Sequence, residues 1–180
     1  MNVYDIIADY YAAGSNLRDT LVSHSERVAE KAVRAGEKAF YLNPDLEFIW
    51  EAAMLHDIGI FLTDKPDIGC HGVHSYIHHG RLGRDLLEKR SLPAHARVCE
   101  RHVGVGITAS EARLYDFPSP QREMSPVSLE EKIICYADKF FSKSPEKGHE
   151  EEKLEDILAE IDGYGPGKAD IFRQWIEMFG

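Results

Sequence analysis

Residues 43–59 read Asn43-Pro44-Asp45-Leu46-Glu47-Phe48-Ile49-Trp50-Glu51-Ala52-Ala53-Met54-Leu55-His56-Asp57-Ile58-Gly59. The Asn-Pro pair predicts a helix start, because asparagine caps and proline tolerates the first helical position. The helix then runs to about His56 and is ended or bent at Gly59. Ile49, Ala52, Ala53 and His56 share its inner face, so an imidazole and the carboxylate of Asp57 are carried toward the core. A buried ionisable group is costly unless something pairs with it.

Working outward, the same coincidence recurs. Val3–Ala13 reads as a first helix ended near Gly14, and a second runs from about Leu17 to Tyr41. Leu17, Leu21, Val28, Ala32, Ala35 and Ala39 form its apolar stripe, and His24 lies on that stripe. Downstream, Ile77–Lys89 carries His79, Leu82, Leu86 and Leu87 at helical spacings, with Gly83 permitting close approach. Pro93 starts the next helix, on which Val98 or Cys99 shares a side with His102. Thr108 to Glu111 and Ser128 to Glu131 match the capping box. From Leu129 to Phe141, Ile133, Ile134, Ala137, Phe140 and Phe141 make a wide inner face, with Asp138 one turn after Ile134. Residues 63–76 look like a loop near the site and a candidate lid, and residues 142–152 like an exposed polar loop. Helices near 154–161 and 168–178 complete the chain.

With no sustained period-two alternation, the expected fold is all-α, a compact single-domain helical bundle over residues 1–180. Its motif-bearing core covers about residues 17–143, and C-terminal helices fill 150–180.

A chain of 180 residues can bury a sizeable core without disulfides. The formal charge of −10 excludes extended nucleic acid and an anionic membrane as major partners, while a local basic pocket can still hold a small phosphorylated ligand. Three cysteines, Cys70, Cys99 and Cys135, fall in no C-x-x-C spacing and suit packing in a reducing compartment. No stretch approaches 18 apolar residues and no signal segment opens the chain, so a cytoplasmic protein is expected. The oligomeric state is not legible.

His24, His56, Asp57, His79, His102 and Asp138 are all metal-ligand types on inward faces. Neutral imidazoles with carboxylates suit Mn, Fe, Zn and related divalent ions, whereas Mg or Ca sites are built mainly from oxygen. Asp57 is the natural bridge between two ions, with His24, His56 and Asp138 on the first and His79 and His102 on the second. A water held there loses a proton far more readily than bulk water. Taken singly, His24 or Asp138 is more readily a satisfied core residue, and His78 competes with His79. His71 and His74 read as surface or entrance residues, and His95 and His149 have no supporting pattern.

His24-Ser25-Glu26-Arg27-Val28-Ala29, Leu55-His56-Asp57-Ile58-Gly59 and Ala137-Asp138-Lys139 together resemble the HD-domain, HDIG-type superfamily of metal-dependent phosphohydrolases. His79 followed by Gly83 and Leu87, and Arg101-His102, resemble the added histidines of its two-metal members. The resemblance covers about Leu21 to Phe141. It implies a helical bundle holding one or two divalent transition metals, Fe or Mn foremost, with Zn, Ni, Co or Mg as further options. It also implies hydrolysis of a phosphomonoester, phosphoanhydride or phosphodiester bond in a small, nucleotide-type substrate by attack of metal-bound hydroxide. Asp57 is the expected catalytic residue, and Arg27, Arg101 and Lys139 are candidate substrate-binding residues. Alternatives are a symmetrical diadenosine tetraphosphate hydrolase and, in a different class, a non-catalytic metal- or nucleotide-binding regulatory module. The cyclic-di-GMP-cleaving branch is disfavoured, because Val103-Gly104-Val105-Gly106 stands where that branch has Gly-Tyr-Pro.

Overall fold

The computed structural model describes residues 1–144, 148 and 150–180. Helices dominate it: α1 (Val3–Ala8), α2 (Asn16–Lys38), α3 (Leu46–Leu55), α4 (His79–Lys89), α5 (Pro93–Arg101), α6 (Ala109–Leu114), α7 (Leu129–Asp138), α8 (Leu154–Asp162) and α9 (Lys168–Phe179). Helix α2 is the spine. It packs on α3 and α7, while α4 pairs with α5, α9 closes against α7, and α8 packs on α9. One buried apolar cluster runs through the bundle from Val3 to Phe179. The stripe predicted on α2 faces it, with Leu21, Val28, Ala32, Ala35 and Ala39 buried and His24 buried among them.

Both capping boxes form. The Thr108 side chain accepts from Glu111 N, the Ser128 side chain accepts from Glu131 N, and each glutamate returns to its cap backbone. The start of α3 differs from expectation. Asp45, not Asn43, caps it by accepting from Phe48 N, and Asn43 instead takes a left-handed conformation (φ 53°) that closes a 3-10 turn at Phe40–Leu42. A carboxylate two residues later offers the stronger cap at a positive helix end. Helix α1 stops at Ala8 rather than near Gly14, because the chain turns to insert Tyr11, whose hydroxyl donates to the Ile58 carbonyl at 2.8 Å. Helix α2 likewise ends at Lys38, before Tyr41.

The segment read as a loop at 63–76 contains a small sheet. Strands β1 (Thr63–Lys65), β2 (Cys70–His71) and β3 (His74–Ser75) lie in the order β2-β1-β3, with β1 antiparallel to β2 and parallel to β3. Strands of two or three residues are too short to display alternation.

Two glycines set the approach of α4 to its neighbours. A Cβ on Gly59 would lie 2.3 Å from the His79 carbonyl oxygen and 2.4 Å from Gly83 N, and one on Gly80 would lie 2.3 Å from the Cys99 carbonyl oxygen. No other residue permits backbones that close. The start of α4 is thereby wedged between the end of α3 and the end of α5, the places where Asp57 and His102 sit.

Candidate metal centre

The six predicted ligands come from five stretches, His56 and Asp57 being neighbours after α3, and the fold brings all six together. His24, His56 and Asp57 are completely buried, and His79, His102 and Asp138 nearly so. Asp57 divides the group. Its Oδ2 lies 3.4 Å from His24 Nε2 and 3.2 Å from His56 Nε2, and its Oδ1 lies 3.2 Å from His79 Nε2 and 3.4 Å from His102 Nε2. Asp138 Oδ1 completes the first set, 3.1 Å from His24 Nε2 and 3.4 Å from His56 Nε2. The atoms of His24, His56, Asp57 and Asp138, and separately those of Asp57, His79 and His102, lie within 4.8 Å of one another.

Backbone carbonyls aim three of the rings. His56 Nδ1 donates to Ala53 O at 2.6 Å, His79 Nδ1 to Tyr76 O at 2.6 Å, and His102 Nδ1 to Cys99 O at 2.8 Å. A carbonyl only accepts, so each Nδ1 carries a hydrogen and Nε2 is the ring atom turned to the centre. In all three cases the carbonyl belongs to the residue three positions earlier, at the end of a turn, and the Tyr76 carbonyl also accepts from the His79 backbone N–H. The thiols of Cys99 and Cys135 fix the surrounding backbone, donating to Leu55 O and His102 O at 3.2 Å each. All three cysteines are buried and free.

The donor set fits a metal on two structural grounds. Both Asp57 oxygens and His56 Nε2 are buried without a hydrogen bond of acceptable geometry, although charged neighbours lie close. In addition, His79 Nε2 and His102 Nε2 face each other at 2.9 Å, and with both Nδ1 atoms engaged as donors two lone pairs meet there. A divalent cation satisfies lone pairs and carboxylates at once, and this mixed nitrogen and oxygen set suits a transition metal.

Burial pulls the His24 imidazole down to about 3, assisted by Lys143, and pulls His102 down to about 4. His56 is opposed by the same burial, yet the carboxylates of Asp57 and Asp138 outweigh it and push the ring up to about 9. Burial likewise works against the Asp57 and Asp138 anions. Lys143 and His56 nevertheless hold Asp57 well below the usual carboxylate range, and Lys139 and Lys143 do the same for Asp138.

A cavity of about 540 Å³ opens beside this centre, with His79, His102 and Asp138 in its wall. Of the three predicted phosphate contacts, Lys139 lines it, its Nζ 3.2 Å from Asp138 Oδ2. The other two are not among the lining residues. Arg101 donates to both Glu131 oxygens at 3.0 Å, and Arg27 donates to Ser23 O with its guanidinium 5.3 Å from the Phe141 ring centre. Sequence reasoning missed Lys143, which lines the cavity with Nζ 2.6 Å from Asp57 Oδ2. It follows α7 in an irregular segment, where periodicity carries no signal.

The remaining histidines take other places. His78 Nε2 donates to Tyr115 O at 2.8 Å, His71 and His74 are exposed on the small sheet, and His95 packs on Phe48 and Glu51. His149 lies outside the described residues.

A buried carboxylate shared by two imidazole sets, in a helical bundle beside a cavity into which Lys139 and Lys143 reach, defines a class of all-α proteins whose ligand-type side chains could hold divalent metal. The chain belongs to the HD domain family, whose model matches residues 21–142. It is 30% identical over 128 residues to a tRNA (cytidine(56)-2'-O)-methyltransferase of Picrophilus torridus, covering 71% of this chain and 33% of that protein. It is 33% identical over 124 residues to an uncharacterized protein of Methanocaldococcus jannaschii, covering 63% of this chain and 66% of that one. The chain thus spans less than two thirds of the length of either relative. Its fold is similar to the HD domain of the L. monocytogenes phosphodiesterase PgpH, with a TM-score of 0.55, 15% identity, and coverage of 97% of this chain and 94% of that one. The same PgpH domain in complex with cyclic-di-AMP gives a TM-score of 0.55 at 16% identity, covering 97% and 93%. No helix among the described residues is long and apolar enough to cross a membrane.

Proposed function

We propose that this chain is a metal-dependent phosphohydrolase, one HD unit over its whole length, acting on a small phosphorylated substrate of the nucleotide type. The observation that carries the proposal is the division of Asp57, one oxygen toward His24 and His56 and the other toward His79 and His102. A buried carboxylate with different imidazoles at each oxygen matches a two-metal arrangement, with His24, His56, Asp57 and Asp138 holding one ion and Asp57, His79 and His102 the other. Divalent ions bound there, Mn or Fe foremost, supply Lewis acidity at the phosphoryl oxygens and lower the pKa of water.

The chain's own groups provide the rest. Lys139 and Lys143 stand where the cavity meets the carboxylates, placed to receive a phosphate. The wall also presents apolar and aromatic groups, Tyr76 stacked on His79 together with Val103, Ile107, Tyr115 and Tyr164. A cavity of this size lined by both lysines and aromatic rings suits a phosphate joined to a flat ring. The complex of the fold neighbour PgpH with cyclic-di-AMP supports the same ligand class. Tyr164 and Lys168 come from beyond the family segment. The Tyr164 ring lies 3.6 Å from where a Cβ on Gly104 would stand, and Lys168 Nζ donates to Gly106 O at 2.7 Å and pairs with Glu111 at 2.8 Å.

The test is a panel of mononucleotides, cyclic nucleotides and dinucleoside polyphosphates, including diadenosine tetraphosphate, assayed with Mn, Fe, Zn, Ni, Co and Mg. Chelator-sensitive phosphate release is expected. A protein purified without chelator that holds no metal and cleaves nothing on the panel refutes the proposal.

A further inference from the structure

We infer that Lys143 is an internal counter-ion that competes with metal for Asp57 and, once displaced, binds the substrate phosphate. This rests on the metal-centre reading above. Lys143 Nζ lies 2.6 Å from Asp57 Oδ2 and 4.0 Å from Asp138 Oδ1, and those two oxygens are the ones that His24 and His56 also face. The ammonium therefore stands on the ligand face of the four-residue set rather than behind it. Lys139 differs, since it approaches the other oxygen of Asp138, Oδ2, at 3.2 Å and leaves Oδ1 to the histidines.

The charges explain both positions. Asp57 and Asp138 are buried anions that need compensation, and Lys139 and Lys143 bring one positive charge each. A divalent ion arriving at Asp57 adds two more positive charges to a buried neighbourhood in which two ammonium groups already face the two carboxylates. Repulsion at a few ångströms is strong there, and Lys143 is the cation whose nitrogen stands nearest the arriving ion's ligands. Its side chain also lines the cavity, so the direction open to it is the one from which substrate comes. A phosphate entering there supplies the displaced ammonium with a new charge-assisted partner. Metal loading would thus convert a lysine that neutralises the empty ligands into one that recognises the substrate.

The decisive experiment titrates Mn2+ alone, at fixed pH, into the full chain and into Lys143→Gln, and then titrates inorganic phosphate into each Mn-loaded protein. The variant is expected to bind Mn2+ at least about tenfold more tightly, because it lacks the repelling charge. It is expected to bind phosphate at least about tenfold more weakly. Lys143→Arg, which keeps the charge, should stay within about threefold of the parent for Mn2+. Misfolding cannot produce tighter metal binding. Unchanged or weaker Mn2+ binding by Lys143→Gln overturns the inference, as does tighter binding with unchanged phosphate affinity. A parent protein that takes up no Mn2+ instead removes the metal-centre reading itself.

Discussion

Arg101 donates through one nitrogen to both carboxylate oxygens of Glu131, 3.0 Å each, and Glu131 in turn accepts from the Val127 and Ser128 backbone at the head of α7. The helix that delivers Asp138 is thereby tied to the helix whose end delivers His102. Arg101→Ala should lower unfolding stability by ~1–3 kcal/mol, as expected when a buried carboxylate loses a charged donor. Urea titration measures this. If KM instead rises tenfold with stability intact, Arg101 is a substrate contact rather than a strut.

The two sets of ligands should separate by mutation. Asp57→Ala removes the shared carboxylate and is expected to abolish hydrolysis and the retention of both ions, with the helical circular dichroism spectrum kept. His79→Ala should leave about one metal equivalent, held by His24, His56, Asp57 and Asp138. Elemental analysis of each variant reads this out, and two equivalents on Asp57→Ala would remove Asp57 from the bridging position.

Metal affinity should depend on pH through His56. Its folded pKa is raised to about 9, so the metal-free protein carries a proton there at neutral pH that the metal must displace. Apparent affinity should therefore rise by about tenfold per pH unit up to about pH 9 and then level off. His24 and His102, held down to about 3 and about 4, are already neutral and add no slope. For stability of the metal-free fold the sign is reversed. The raised His56 contributes stability below its ordinary pKa that is lost as pH climbs through about 9, whereas the depressed Asp57 and Asp138 contribute stability that is lost on acidification. A flat affinity between pH 7 and 9 would contradict the His56 assignment.

The C-terminal wall should govern which organic group is accepted. Tyr164→Ala is expected to raise KM for a nucleotide by about tenfold and for a small alkyl phosphate by less than about twofold, because the ring contributes stacking area and no phosphate contact. Equal effects on both substrates would exclude Tyr164 as a ring-stacking residue.

Much of this was legible in the sequence because the signals are local. Ser128 and Glu131 announce α7 by a three-residue spacing, and Asp138 then falls one turn after Ile134 on the face that the fold buries. His79 is set apart from His78 by the spacing to Gly83 and Leu87, and the structure turns His79 to Asp57 and His78 to Tyr115. Nonlocal facts were hidden. That Arg101 faces Glu131, 30 residues away, depends on how α5 crosses α7. Lys143 stands in a segment without periodicity, and its proximity to Asp57 arises only in three dimensions. The cap of α3 is ambiguous in sequence because two competing signals, Asn43-Pro44 and Asp45, lie within three positions, and the carboxylate's charge at the helix end favours Asp45.

The most direct test of the account is an anomalous-scattering map from crystals grown with Mn2+. Two peaks are predicted, one at coordination distance from His24, His56, Asp57 and Asp138, the other from Asp57, His79 and His102, with the Asp57 carboxylate between them. A map without a peak at Asp57, with the four imidazoles satisfied by protein groups alone, would contradict it.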